Sequence, residues 1–163
     1  MSNAEYDQDL ANLRRIYVEA FPRQRYSIAQ QRIKYLEHGP NVLVACVSAV
    51  EGLARSLVMH THTVGETDPS KIRATLSSIY PDYKRRGAEV LIEEFLGSAK
   101  LPAPPTYFGI GTWETFLYAI EYRNVLTHEC TYLGQDRSPA LIEACQVVLH
   151  KLAAAAGLKP ADA

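Results

Sequence analysis

This 163-residue chain lacks most of the features that announce a function by themselves. It has three cysteines, Cys46, Cys130 and Cys145, far apart and without a CxxC pair, which is not the pattern of a disulfide framework. They read as reduced thiols in the core. There is no excess of charge of one sign: 17 Lys and Arg stand against 18 Asp and Glu, a net charge of −1, so no broad positive field points to nucleic acid. The longest apolar run, Val42 to Val50, is well short of the roughly 20 residues that span a bilayer, and no basic-then-apolar signal opens the chain. A cytoplasmic protein without membrane contact is expected.

Catalytic signatures are equally scarce. "GIG" at 109–111 has no Lys or Ser/Thr following in phosphate-loop register, and no nucleophile elbow occurs. "HEC" at 128–130 lacks the second histidine of HExxH. The histidines of "HTH" at 60–62 would point apart on a helix, with no Cys or acidic ligand near them. Neither a metal nor a cofactor is expected. No segment alternates for long in the manner of a half-buried strand.

What the chain does have is helical spacing. Leu10, Leu13, Ile16 or Tyr17 and Ala20 recur at helical intervals, and "SIAQQRIKYLEHGP" reads as a second helix closed by Gly39 and Pro40. Residues 1–40 therefore read as an N-terminal helical extension. From Asn41 to about Met59, Val42, Cys46, Ala49, Leu53 and Leu57 share one face, while Val44, Val47, Ala54 and Val58 make most of the rest apolar; such a helix is central. Asp68 and Pro69 start a short helix, "AEVLIEEFLGSA" forms another, and "KLPAPPTYFGIG" is a loop. Thr112 caps a long helix from Trp113 to about Leu133, and a last helix is capped by Ser138, with Pro139 at its first position and Gly157 at its end. The prediction is all-α: four principal helices starting near residues 41, 84, 113 and 139, filling residues 41–157, after the extension and before a tail at 158–163.

The third principal helix carries an oddity. At 100° per residue, Trp113, Phe116, Leu117 and Ile120 fall on one face, and that face continues through Asn124, Thr127, His128 and Thr131. Arg123 falls at its edge, roughly 80° from the centre. Asn124, His128 and Tyr132 are spaced four apart and form a ladder of neighbours. Burying such groups without partners costs a few kcal/mol, so the cluster either lines a wet pocket, meets another subunit, or satisfies itself by tying the helix to a neighbour.

"R-N-V-L-T-H", Arg123 with the polar Asn124 directly after it and His128 at the end, resembles the R-x4-6-H motif of the HEPN families, the "higher eukaryote and prokaryote nucleotide-binding" domains. The likeness extends to the four-helix layout of residues 41–157; only the six-residue motif is specific. The resemblance implies an up-and-down four-helix bundle that commonly dimerises, bringing two motifs into one composite cleft. It further implies a metal-independent endoribonuclease, of the kind found in bacterial toxin–antitoxin, anti-phage and RNA-processing systems, with an antitoxin protein as a partner. His128 would be general acid or base, Arg123 the phosphate clamp, and Asn124 the residue orienting His128 or the scissile phosphate. The alternative is a non-catalytic HEPN-like module that binds RNA or a nucleotide, or only dimerises. One position departs from the pattern: nucleotidyltransferase-paired HEPN toxins usually carry a tyrosine two residues after the histidine, where this chain has Cys130. Tyr132 and Thr127 remain candidates for the pocket wall.

Two further clusters stand out. Glu51 and Arg55 lie four apart on the central helix, which reads as a solvent-exposed ion pair; the functional alternative is that Glu51 reaches the cleft and holds Arg123 or His128. "YKRRG" at 83–87 is a compact basic run that could meet an RNA backbone, although such runs are usually just solvated.

Overall fold

The computed structural model describes residues 18–35, 40–129 and 138–159, with a few isolated positions before residue 18. Among the described residues there are seven helices and no strand: α1 (Pro22–Tyr35), α2 (Pro40–His60), α3 (Pro69–Tyr83), α4 (Ala88–Ser98), α5 (Pro104–Phe108), α6 (Ile110–Glu129) and α7 (Ser138–Ala155). The expected all-α helical bundle is what forms.

Local chemistry sets the ends. Asp68 takes the N-cap of α3, its carboxylate accepting the Ser70 N–H at 2.9 Å, with Pro69 at the first position. α3 is a full 15 residues rather than a short helix, because Pro81 falls in its last turn, where it forfeits a backbone bond without ending the helix. At the end of α2 the Thr61 and Thr63 hydroxyls donate to the Val58 and His60 carbonyls, closing the helix in a tight 3₁₀ turn. Gly157, at φ +71°, ends α7 as expected: its own N–H reaches Ala154 and the Leu158 N–H reaches Ala153.

The loop expected at 100–111 holds the short helix α5, and α6 starts at Ile110, ahead of the Thr112 cap read from sequence. Gly109, at φ +93°, makes that earlier entry, and its carbonyl accepts the Trp113 N–H at 2.9 Å. The expected continuation of α6 to Leu133 lies partly outside the described residues.

α2 is the centre, packing against α1, α3, α4, α6 and α7. Its Leu43, Cys46, Val47, Val50, Leu53 and Ala54 are almost wholly buried. With the turn that follows, Asn41–Thr63 is long and apolar enough to cross a membrane, although its unbroken run is too short; Glu51 and Arg55 interrupt the run but neutralise each other. Here it is mostly buried inside the bundle. The extension helix α1 shares that core through Tyr26 and Ala29, and the Tyr26 hydroxyl meets His150 Nδ1 of α7 at 2.5 Å. Ahead of α1, the Ala20 carbonyl accepts from Ser56 and His60 of α2.

Candidate functional site

Along α6 the inward line is Trp113, Phe116 and Ala119, all buried, followed by the half-buried Ile120, Arg123 and Leu126. Trp113 stacks on Phe108 of α5, ring centroids 5.6 Å apart, and tilts against Phe116. This corrects the helical wheel. The packing face runs into Arg123, and Asn124, Thr127 and His128 are exposed. The wheel was centred on the bulky residues, which drew it toward Leu117; Ala119, small and buried, lies on the other side and marks the true inner face. A buried tie made by Asn124 and His128 is therefore not what this helix contains. Thr131, Tyr132 and Cys130 lie outside the described residues.

Arg123 turns inward toward α2, and its guanidinium Nη2 donates to Glu51 Oε2 at 3.1 Å. The other oxygen of that carboxylate accepts from Arg55 Nη2 at 2.7 Å. Glu51 thus bridges two arginines. The Glu51–Arg55 pair expected to be solvent-exposed is instead largely buried, because Arg55 lies under the turn between α3 and α4, donating to the Tyr83 carbonyl at 3.2 Å and the Arg86 carbonyl at 3.0 Å. Burying these charges is costly unless each is paired and hydrogen-bonded, and the bridge meets that condition. Two guanidinium groups against one carboxylate leave the trio with one net positive charge.

Asn124 serves Arg123 rather than His128: its Oδ1 accepts from Arg123 Nε at 2.9 Å. The Thr127 hydroxyl donates to the Arg123 carbonyl at 2.8 Å, so it closes a helical turn on itself. Arg123 is fixed from two sides, and among the described residues its remaining N–H groups have no partner. A guanidinium oriented by a carboxylate and an amide, with donors left over, suits a planar oxyanion such as phosphate. His128 stands five residues on, about 140° around the helix, with its ring in solvent. Arg123 and His128 of one chain thus point in different directions.

On the solvent side of α6, Ile110, Tyr118 and Val125 are large apolar residues left exposed, Tyr118 at 60%. Their spacing of eight and then seven residues is the sequence signal of a second apolar face, weaker than the inner one. Under Arg123, Cys145 is buried and its thiol is pushed up by desolvation and by the neighbouring Cys46, only partly offset by the Arg123 charge. Burial likewise pushes the Cys46 thiol up to about 11. Neither is a nucleophile. Among the described residues no group of three or more His, Cys, Asp or Glu could hold a metal. A groove of about 840 Å³ lies between the start of α1 and α3, lined by residues such as Phe21, Ile28, Ile72 and Leu76, and none of its walls belongs to the motif.

No family model, no curated protein and no solved structure matches this chain.

Proposed function

We propose that this chain is a metal-independent endoribonuclease of the HEPN type, acting in the cytoplasm as an effector of a bacterial toxin–antitoxin or anti-phage system. The observation that carries the reading is the contrast between the two motif residues: Arg123 is locked by Glu51 and Asn124 with donors to spare, and His128 stands exposed on another face of the same helix end.

The chemistry follows from the two side chains. The 2′-hydroxyl of the RNA attacks the adjacent phosphorus and loses its proton to a base; the bond from phosphorus to the 5′-oxygen breaks, and that oxygen takes a proton from an acid. The products are a 2′,3′-cyclic phosphate and a 5′-hydroxyl. Histidine titrates near neutrality and can serve either step, and a fixed guanidinium stabilises the charge that grows on the phosphoryl oxygens. Because Arg123 and His128 diverge within one chain, the complete site takes its second copy of the motif from a homodimer partner. The exposed Ile110, Tyr118 and Val125 on the same helix are the apolar surface such a partner would cover. A protein antitoxin would then act by blocking this cleft.

Purified protein incubated with single-stranded RNA and excess chelator is expected to leave 2′,3′-cyclic phosphate ends. Arg123→Ala and His128→Ala should abolish them while keeping the far-ultraviolet spectrum and a cooperative melting transition within a few degrees of wild type. Undiminished cleavage by the double variant would sink the proposal. RNA retained by the wild type with no new ends formed would favour the second reading, a non-catalytic RNA-binding module, which the divergence of Arg123 and His128 within one chain also allows.

A further inference from the structure

We propose that the turn carrying Lys84 and Arg85, between α3 and α4, is a second phosphate-contact site for the RNA cut at Arg123 and His128, held in register with that site by Arg55. The inference rests on the ribonuclease reading.

Of the three cations in "KRR", Arg86 is half-buried and already paired. Its Nη1 pairs with Glu94 Oε2 at 2.6 Å and its guanidinium carbon lies 4.1 Å from the centre of the Tyr83 ring. The Tyr83 hydroxyl donates to Glu94 and also meets His62 Nε2 at 2.9 Å, so α3, α4 and the turn after α2 are knotted together beneath the loop. Lys84 and Arg85 are left exposed on top, and among the described residues neither is paired with a carboxylate.

The backbone beneath them is fixed. Lys84 N–H reaches the Tyr80 carbonyl and Arg86 N–H the Tyr83 carbonyl, while the buried Arg55 binds the Tyr83 and Arg86 carbonyls on either side of the two exposed residues. A rigid turn loses less conformational entropy when it binds than a mobile one does. The same Arg55 guanidinium holds Glu51, and Glu51 holds Arg123, so only two side chains separate the turn from the proposed phosphate clamp. Residues 51 and 55 are four positions apart, about 6 Å along α2. A nucleic-acid strand advances on the order of 3.4 Å per nucleotide along its axis. The hydrogen-bonded chain from the turn through Arg55 and Glu51 to Arg123 is short, so a strand on the surface above it meets the turn and the clamp within a few nucleotides of each other.

The ligand is the RNA backbone, recognised by charge without sequence, which makes salt the decisive variable. Binding of a single-stranded 12-nucleotide RNA would be measured between low and moderate salt on the full chain carrying His128→Ala, which binds without cutting. Adding Lys84→Gln and Arg85→Gln should weaken binding and reduce the slope of log affinity against log salt by about 1.4, since each phosphate contact on a single strand contributes about 0.7. Lys71→Gln with Lys100→Gln, two exposed cations elsewhere, should leave the slope unchanged. The inference is overturned if the Lys84 and Arg85 changes leave the slope where it was, or if the Lys71 and Lys100 pair lowers it as much. A wild-type chain that cuts RNA while the slope stays unmoved defeats this inference alone; a wild-type chain that neither binds nor cuts RNA defeats the ribonuclease reading beneath it.

Discussion

Arg55 and Arg123 bind the two oxygens of one carboxylate, Glu51, and differ in nearly everything else. The Arg55 side chain is 7% exposed, and its donors beyond the Glu51 bond go to the Tyr83 and Arg86 backbone carbonyls of the turn. The Arg123 side chain is 19% exposed, is oriented by Asn124, and ends at the surface with donors to spare. Residue type and partner are the same, so neither decides the role. What decides it is where the remaining hydrogen-bonding capacity goes: into the fold for Arg55, and outward for Arg123.

The sharpest way to break the comparison is to keep the charge of Arg123 and remove its fork. Arg123→Lys can hold Glu51 or a phosphate but cannot grip both in a plane, so cleavage should fall about 10²- to 10³-fold in kcat, with the melting temperature close to wild type. An active lysine variant would mean that Arg123 acts as a simple point charge. Next in size is the effect on stability. Arg55→Ala removes the side-chain donor to the Arg86 carbonyl and one of the two guanidinium partners of Glu51, which should cost about 2–3 kcal/mol in urea unfolding, whereas Arg123→Ala should cost about 1 kcal/mol because it removes no bond to the turn. Equal losses for the two would erase the distinction between a closed and an open arginine.

A smaller effect concerns pH. Desolvation lowers the pKa of His60 from its ordinary 6.5, with its bond to the Ala20 carbonyl opposing in part. The unfolded chain then takes up a proton before the folded one, so stability is fully present above pH 6.5 and declines as the pH falls toward the lower folded value. His60→Gln should flatten the acid side of the melting-temperature profile; an unchanged profile would place the acid sensitivity elsewhere. Smallest of all, Cys46 and Cys145, both buried with raised pKa, should resist alkylation in the native protein at pH 8 and react fully once it is unfolded.

Much of the fold was legible in the sequence because helical periodicity and Pro and Gly punctuation are local signals. Val42 to Leu57 identified α2 as central, and Gly157 marked the end of α7. The misses have local causes as well: Pro81 concealed the length of α3, and the turn at Gly109 moved the start of α6. The site was legible only as a set of residues. Arg123, Asn124 and His128 stood out as a motif, yet a wheel weighted by bulky side chains placed Asn124 and His128 inward and Arg123 at the rim, the reverse of what packing around Ala119 produces. The Glu51–Arg123 contact spans 72 positions, and sequence offered it only as one of two readings. That Arg55 holds the 83–86 turn had no sequence signal, since the acceptors are backbone carbonyls, which every residue carries.

The central claim is that Arg123 and His128 belong to one reaction but reach it from two chains. Mixing the inactive Arg123→Ala and His128→Ala proteins, after unfolding and refolding them together so that heterodimers form, tests this directly. One composite site in each heterodimer keeps both residues, so RNA cleavage to 2′,3′-cyclic phosphate should return to a substantial fraction of wild type. Heterodimers that form and remain inactive, while wild-type protein treated alike recovers its cleavage, would contradict the account.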